Sequence, residues 1–252
     1  PAQQKLGLFW ETMRRRSYKR AARVVALTES IAQTLAPLSP HPIAVIPSAI
    51  EPPRRRQIEH ENKIILGVGR LAPEKGFDRL IEAFARIADQ IPAWSLKILG
   101  EGAMREALQQ QADAAGISHR LSMPGWLRPV APEYECATLF VLPSRYEGFP
   151  SALLEAAATG LPCIAMKCQS GSCEIIAHGE NGLLVDDCVA SLAAAILSLA
   201  QNEPERVRLG NAATEVVARF DLASMVDAYE SLLRQVSQPG CGSNRAVERF
   251  GG

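Results

Sequence analysis

The chain has 252 residues and balanced charge, with 27 Lys and Arg residues against 27 Asp and Glu residues. Its 47% hydrophobic and 21% charged residues are typical of a folded globular protein and exclude a disordered chain. The charge balance gives no case for a nucleic acid partner, and no apolar run reaches the roughly 18–20 residues of a membrane span. The polar first residues are not typical of a secretory signal.

Short apolar runs alternate with amphipathic helical patterns along most of the chain. Apolar residues at helical spacing predict helices over residues 77–87 and 104–112, the second ending at Gly116. The runs IILGV and LFVLP are apolar on both faces, as in strands buried between two layers of helices. The pattern predicts an α/β fold with a doubly wound parallel, Rossmann-like sheet. Strands are expected at Arg23–Leu27, Ile43–Ile46, Lys63–Val68, Leu96–Leu99, Leu139–Leu142, Pro162–Met166 and Gly182–Val185.

The domain organisation follows from one break in this pattern. Residues 51–62, EPPRRRQIEHEN, combine two prolines and charge with no periodicity, which predicts a linker. Residues 1–50 hold only two strands, too few to bury a core, so we expect them to be the last βα units of a larger domain. Residues 63–220 form the Rossmann-like domain. A helix over 221–238 is expected to pack back toward the N-terminal part, followed by a flexible tail at 239–252.

Six cysteines are too few for a disulfide scaffold in a chain of this length. Cys163, Cys168 and Cys173 are spaced by five, which raises the alternative of a metal site. Zinc ligands are usually paired two to four residues apart, and His178 is the only nearby histidine. We therefore expect reduced thiols and no metal, with Cys163 as a small core residue in a strand.

The first glycine-rich turn after a predicted strand is GVGRLAPEKG at residues 67–76. Gly67 and Gly69 suggest a dinucleotide fingerprint, but the third glycine and a suitably placed acid are missing, which argues against a dehydrogenase. Arg70 and Lys75 place two cations on this short loop. Such a pair is suited to a diphosphate, although a solvated loop is the plainer interpretation.

Glycine-rich turns also follow the predicted strands at LGEGAMREAL, residues 99–108, and at PSRYEGFPSALLEAAATG, residues 143–160, and the last of these carries two carboxylates. Glu147 precedes a helix that opens at Ser151, and Glu155 lies one turn into that helix. The free amides of the first turn are expected to donate hydrogen bonds to a phosphate, and Glu155 to accept hydrogen bonds from a vicinal diol such as that of ribose. The alternative is that both carboxylates are surface groups that favour a helix start.

Taken together, these segments resemble a known family. GVGRLAPEKGFDRLIEAF, LKILGEG, LFVLPSRYEGFPSALLEAAATGLPCIA and GENGLLV match, in order and spacing, the C-terminal domain of the family 4 retaining glycosyltransferases, which have the GT-B fold. The resemblance covers about 140 residues from Ile64 to Leu199. Glu147 and Glu155 stand at the two positions of the family's Glu–seven residues–Glu motif.

The resemblance implies a role for each matched residue. Arg70 and Lys75 would hold the donor diphosphate, Glu155 the ribose, and Glu147 the donor sugar, so we assign Arg70, Lys75 and Glu147 as catalytic. Pro150 departs from the glycine of many relatives and removes one backbone donor. Residues 168–176 resemble a family loop that contacts the sugar, with a structural turn as the alternative. The expected donor-binding residues are Gly69, Gly100, Glu101, Trp126, Gly148, Phe149, Pro150, Ser151 and Glu155.

The implied activity is transfer of a hexose-type sugar, with retention, in cell-envelope polysaccharide or glycolipid synthesis. The donor is a nucleoside-diphosphate sugar, a UDP-sugar above all, the acceptor is a glycan or lipid-linked molecule, and no cofactor is expected. The sequence also predicts a basic helix at Phe9–Arg23, and residues 1–60 carry ten Lys and Arg against four Asp and Glu. This surplus suggests an anionic membrane surface as a partner, hence a cytoplasmic protein at the inner face of the membrane, while a solvated helix is the alternative.

Two other functions stay open on the sequence. The short N-terminal part is compatible with a non-catalytic nucleotide-binding or interaction module. An enzyme of the same fold that epimerises a sugar nucleotide or uses phosphate would need additional acid–base residues, which the motifs do not supply.

Overall fold

The computed structural model describes residues 7–51, 62–168 and 171–237. Their contacts divide into two units, one formed by residues up to 47 together with those from 222, the other by residues 48–221. The predicted linker at 51–62 lies almost wholly outside the described residues, as does the predicted tail at 239–252. Among the described residues, no helix combines the length and the apolar character needed to cross a bilayer.

The first unit is small and contains a two-stranded parallel sheet, in which Val25 pairs with Ala44. The Thr28 hydroxyl accepts a hydrogen bond from the Ile31 amide at 3.2 Å, which caps the helix that follows the first strand. The basic helix ends at Arg20, three residues earlier than expected, because the chain turns extended at Ala21. The elements are α1 (Leu8–Arg20), β1 (Val25–Ala26), α2 (Glu29–Leu35), β2 (Ala44–Val45) and α11 (Leu222–Ser237).

The second unit contains a parallel sheet of six strands in the order β5-β4-β3-β6-β7-β8. This order confirms the predicted doubly wound α/β fold. The strand order changes direction between β3 and β6, which lie side by side at the centre of the sheet, and Ile65 of β3 pairs with Leu139 of β6. The strands are β3 (Ile64–Val68), β4 (Ser95–Leu99), β5 (Leu121–Gly125), β6 (Leu139–Leu142), β7 (Cys163–Met166) and β8 (Leu183–Val185).

Helices cover both faces of the sheet. α3 packs against α4 and α8, while α6 packs against α7, α9 and α10. Ile65 and Leu66 are neighbours on β3 and both are fully buried, because successive strand residues face opposite helical layers. The helices are α3 (Phe77–Ile87), α4 (Arg105–Ala114), α5 (Ala131–Cys136), α6 (Ser151–Ala158), α7 (Ser172–Ile175), α8 (Val189–Gln201), α9 (Glu203–Ala213) and α10 (Val216–Arg219).

Strand β5 was not expected from the sequence. Of its residues only Gly125 is buried, and Pro124 lies inside the strand. A proline is tolerated there because β5 is an edge strand, where one backbone donor needs no partner. The strand matters because the loop that follows it carries Trp126.

Candidate functional site

The predicted site residues lie on loops at one edge of the second unit's sheet. Arg70 follows β3, Glu101 follows β4, Trp126 follows β5 and Glu147 follows β6. Because all six strands are parallel, their carboxyl ends meet at this edge. Ligands of open α/β sheets bind at this edge, next to the strands where the chain order changes direction.

Lys75 and Glu147 form a direct ion pair. The Lys75 Nζ lies 2.7 Å from Glu147 Oε1 and 2.9 Å from Oε2, and the Ser144 hydroxyl donates to Oε1 at 2.7 Å. The Glu147 residue is only 5% exposed. A carboxylate this deeply buried needs such donors, because leaving it unpaired would be costly.

A second ion pair fastens the same two loops together. The two terminal guanidinium nitrogens of Arg145, Nη1 and Nη2, donate to the two carboxylate oxygens of Asp78 at 2.7 and 2.5 Å. Arg145 also donates to the Pro73 carbonyl at 2.8 Å, and its amide donates to the Glu74 carbonyl at 2.9 Å. Hydrogen bonding from Arg145 lowers the pKa of Asp78. The loop carrying Lys75 is therefore held against the loop carrying Glu147.

Arg70 has a different environment from Lys75. Its guanidinium pairs with Glu74 Oε1 at 2.9 Å, and 69% of its side chain is exposed. Both predicted diphosphate ligands thus contact carboxylates here. A phosphate that binds to Arg70 would replace an exposed partner, which costs little, because exposed ion pairs are weak.

Arg70 also lines a cavity of about 330 Å³, which we call the β3–β5 cavity. Its walls are mainly apolar, and Trp126, 64% exposed, forms part of them. The guanidinium of Arg128 lies 5.5 Å from the Trp126 ring centre. The lining residues are Val68, Gly69, Arg70, Leu99, Gly100, Trp126, Leu127 and Val130.

Gly100 lines this cavity at a position where the backbone leaves no space for a side chain. Gly100 has φ +141°, and a Cβ there would lie 1.9 Å from the Gly69 carbonyl oxygen. The Gly69 amide donates to the Leu99 carbonyl and the Gly100 amide to the Gly125 carbonyl, each at 2.9 Å. The loops after β3, β4 and β5 are therefore joined through their backbones, in an approach that a side chain would block.

Glu101 is not among the lining residues of the β3–β5 cavity. Its carboxylate pairs with Arg105 at 2.6 Å, and this hydrogen bonding lowers the pKa of Glu101. Its carbonyl oxygen accepts from the Leu71 amide at 2.9 Å. The side chain contributes to the start of α4, whereas the backbone contributes to the joined loops.

Glu155 lines a second cavity of about 310 Å³, which we call the α6 cavity. Its carboxylate is half-buried, and Oε2 accepts a hydrogen bond of 2.9 Å from the Tyr134 hydroxyl. Polar and apolar groups share the lining, so this cavity suits a hydroxylated ligand better than the β3–β5 cavity does. The lining residues are Ala49, Ile50, Glu51, Ser151, Leu154 and Glu155.

The start of α6 differs from expectation. The sequence predicts free amides in its first turn, but this is wrong for Ser151 and Leu153, which donate to the Phe149 and Pro150 carbonyls at 3.0 and 2.9 Å. Pro150 has φ −84° and ψ 77°, the geometry of an inverse γ-turn, which explains why the Ser151 amide turns back. The Phe149 ring is buried against Phe220, with ring centres 5.8 Å apart, so only its backbone is available to a ligand.

The structure confirms the predicted core position of Cys163 in a strand. Cys163 is fully buried in β7, and the thiol of Cys168 lies 3.5 Å from the Ser172 hydroxyl. Within residues 7–51, 62–168 and 171–237, no three His, Cys, Asp or Glu side chains are grouped to hold a metal ion. Two residues of the predicted sugar-contact loop, 169 and 170, lie outside the described part.

Sequence reasoning missed three of the site's residues. Tyr134, Ser144 and Arg145 each hydrogen-bond an acidic side chain of the site or of its loops. Ser144 lies three residues before Glu147, and this short spacing was the one available signal. Tyr134 and Arg145 contact partners 21 and 67 residues away, which no local pattern reveals.

Comparison with known proteins identifies the family. The model for glycosyl transferases group 1 matches residues 50–216, which include every loop of the site. The chain belongs to this family. The match agrees with the resemblance drawn from the sequence motifs.

Similar structures share the GT-B architecture. Staphylococcus aureus TarM, in a complex with Fondaparinux, alpha-GlcNAc-glycerol and UDP, matches with a TM-score of 0.84 at 21% identity, covering 90% of this chain and 46% of TarM. Sucrose-phosphate synthase from Thermosynechococcus elongatus matches with a TM-score of 0.82 at 24% identity, covering 93% and 63%. At these identities the likeness establishes the fold, and the predicted GT-B resemblance is confirmed.

The names of two curated relatives refer to exopolysaccharide and to lipopolysaccharide core biosynthesis. The chain is 34% identical over 232 residues to an exopolysaccharide phosphotransferase of Streptomyces coelicolor, covering 90% of this chain and 24% of that protein. It is 33% identical over 172 residues to the lipopolysaccharide core biosynthesis glycosyltransferase LpsE of Rhizobium meliloti, covering 68% and 49%. The chain thus spans between a quarter and half of these relatives' lengths.

Proposed function

We propose that this chain provides the donor-binding half of a retaining glycosyltransferase. Its donor would be a nucleoside-diphosphate sugar, a UDP-sugar above all, and its acceptor a glycan or lipid-linked molecule of a cell-envelope polysaccharide or glycolipid. The observation that carries the proposal is the Lys75–Glu147 pair, which lies at the same sheet edge as an apolar cavity beside Arg70 and a polar cavity beside Glu155. The names of the relatives support the polymer class.

The two cavities suit different parts of one nucleotide. The β3–β5 cavity offers apolar walls and the Trp126 ring to a base, while the α6 cavity offers the Glu155 carboxylate to a ribose diol. Arg70 would then pair with the diphosphate and Glu147 with the sugar hydroxyls. These assignments follow the family motif residue by residue.

The chemistry concerns charge that develops as the sugar leaves. The bond between sugar C1 and the diphosphate oxygen breaks, its electron pair stays on the diphosphate, and C1 becomes electron-poor. The acceptor hydroxyl forms the new C1–O bond from the same face and gives its proton to the departing diphosphate oxygen. Arg70 and Lys75 stabilise the diphosphate more strongly as it gains charge, which lowers the barrier.

We further propose that donor binding needs no metal ion, because Arg70 and Lys75 supply two positive charges. Both already pair with carboxylates, Glu74 and Glu147, so the diphosphate must compete with Glu74 for the exposed Arg70. Nucleotide affinity measured in EDTA and in millimolar Mg²⁺ tests this, with equal affinities expected. Binding only in Mg²⁺ would contradict it.

The membrane surface is proposed as a partner from the first helix of the first unit. Leu8, Phe9 and Trp10 are 91%, 69% and 63% exposed, and Arg16 and Lys19 on the same helix are exposed. Aromatic and basic groups together favour an anionic bilayer at the cytoplasmic face. We expect the chain to sediment with phosphatidylglycerol vesicles and not with phosphatidylcholine vesicles. Equal binding to both kinds of vesicle, or binding to neither kind, would contradict the proposal.

A second candidate function is a non-catalytic nucleotide-binding or interaction module. The observation that favours it is that both candidate catalytic cations, Arg70 and Lys75, already pair with carboxylates, those of Glu74 and Glu147. It predicts nucleotide binding without any sugar transfer once a compatible N-terminal domain is joined. Transfer by the joined protein would exclude it.

Calorimetry with UDP, GDP and ADP tests the proposed function. The chain is expected to bind at least one nucleotide, and Glu155→Ala to weaken that affinity about tenfold, because each charge-assisted hydrogen bond contributes roughly 1.5–3 kcal/mol. Arg70→Ala is expected to weaken diphosphate binding, while Arg86→Ala, which breaks an exposed ion pair on α3, serves as the control. A folded chain that binds none of the three would overturn the proposal.

A further inference from the structure

The side chain that contacts Glu155 belongs to a different element of the second unit. Tyr134 lies on α5, and its hydroxyl donates to Glu155 Oε2 at 2.9 Å. Among the described residues, no other side chain has a hydrogen bond to the Glu155 carboxylate, although that residue lines the α6 cavity. The described residues thus provide no side-chain donor to the other oxygen, Oε1.

Tyr134 itself is fixed by packing. It is 2% exposed, and its ring centre lies 6.0 Å from that of Phe140 on the central strand β6. Burial, and next the negative charge of Glu155, raise the pKa of the Tyr134 phenol, so it stays a proton donor at neutral pH. A rigid donor on one oxygen fixes the plane of the carboxylate before any ligand arrives.

The same helix reaches both cavities. Val130, the residue that caps α5, lines the β3–β5 cavity, and Tyr134 contacts Glu155 of the α6 cavity four residues later. A shift of α5 would therefore move a wall of one cavity and the carboxylate partner of the other.

We propose that Tyr134 is a positioning residue that orients Glu155 toward the ribose diol of the donor nucleotide. The inference rests on the proposed function. The phenol occupies Oε2 and leaves Oε1, together with the remaining lone pair of Oε2, for the two diol hydroxyls. Tyr134 thus contributes to selection of a ribonucleotide without contacting the ligand.

The test compares nucleotides with and without the diol. UDP and GDP are titrated by calorimetry beside their 2′,3′-dideoxy counterparts, into the wild-type chain and Tyr134→Phe. We expect Tyr134→Phe to weaken binding of the ribonucleotide three- to tenfold, the range of one lost hydrogen bond, and to leave dideoxynucleotide binding unchanged. In a Glu155→Ala background the same change is expected to have no further effect.

Phe140→Leu serves as the control, because it disturbs the same ring packing and keeps the phenol. It is expected to lower the melting temperature while the preference for the diol stays at the wild-type value. A diol preference that Tyr134→Phe leaves intact, or equal weakening of both nucleotides, would overturn this inference alone. A wild-type chain that binds no nucleotide would overturn the proposed function and this inference with it.

Discussion

The Lys75 Nζ lies 2.7 and 2.9 Å from the two carboxylate oxygens of Glu147, although the two residues are 72 positions apart. They come from loops after β3 and β6, which are neighbours only because the chain order changes direction between them. A switch in strand order therefore creates the ion pair at the centre of the candidate site.

Lys75→Met is expected to destabilise the fold as well as the site. It removes the cation that donates to both oxygens of the Glu147 carboxylate, which is 5% exposed, and the neutral Ser144 hydroxyl is a much weaker partner than that cation. Removing one partner of a buried pair costs about 3 kcal/mol in the free energy of unfolding, measurable by urea denaturation. Adding Glu147→Gln should recover part of the loss, because the buried charge is then gone.

The matched control for that experiment is Lys167→Met. Lys167 pairs with Asp186 at 2.9 Å, with more than half of both side chains exposed. Exposed pairs contribute little, so its free energy of unfolding should stay close to that of the wild type. Equal losses for the two variants would show that burial of Glu147 is not what matters.

Gly100→Ala is expected to disrupt the β3–β5 cavity. The new Cβ would meet the Gly69 carbonyl at 1.9 Å, and alanine rarely adopts φ +141°. A loss of about 3 kcal/mol in the free energy of unfolding is expected. Gly116→Ala shares the positive φ but has open space around its Cβ, so it should cost about 1 kcal/mol. Equal costs would contradict the close approach of the two loops.

The sequence predicted the sheet well where burial dominates. β6 was expected at Leu139–Leu142 and is found there, because a strand covered on both faces needs an unbroken apolar run. β5 was missed because its residues alternate in burial and include Pro124, a pattern that only an edge position permits. β8, at the other edge of the sheet, was predicted because Leu183, Leu184 and Val185 form an unbroken apolar run, so β5 was missed for its polar and proline residues and not for its edge position alone.

The residues of the candidate site were proposed from the family motif, but the contacts between them were not predicted. Arg70, Lys75, Glu147 and Glu155 follow from the family motif, whereas the Tyr134 bond to Glu155 joins two helices and leaves no periodic trace. The prediction that the Ser151 amide is free was also wrong. That amide donates within a γ-turn, which depends on the backbone angles of Pro150. A sequence motif predicts neither contacts between distant residues nor the backbone dihedral angles of a single turn.

The Asp78–Arg145 pair predicts a dependence of stability on pH. Hydrogen bonding from Arg145 lowers the pKa of Asp78 in the folded chain, whereas the carboxyl of the unfolded chain has a pKa of about 3.9. The stabilisation is thus present at neutral pH and is lost as the pH falls through the folded value. Urea denaturation of the wild type and Asp78→Asn should show a difference at pH 7 that shrinks toward pH 3. A constant difference would contradict the pair's role.

Trp126→Ala is expected to separate binding from stability. The side chain lines the β3–β5 cavity but is 64% exposed, so its removal should change the melting temperature little. Stacking of a base on an aromatic ring contributes about 1–3 kcal/mol, so nucleotide affinity in calorimetry should fall about tenfold. Trp10→Ala removes an equally exposed tryptophan, at 63%, from a helix of the first unit. It should leave affinity unchanged, and an equal loss in both variants would show that Trp126 does not receive the base.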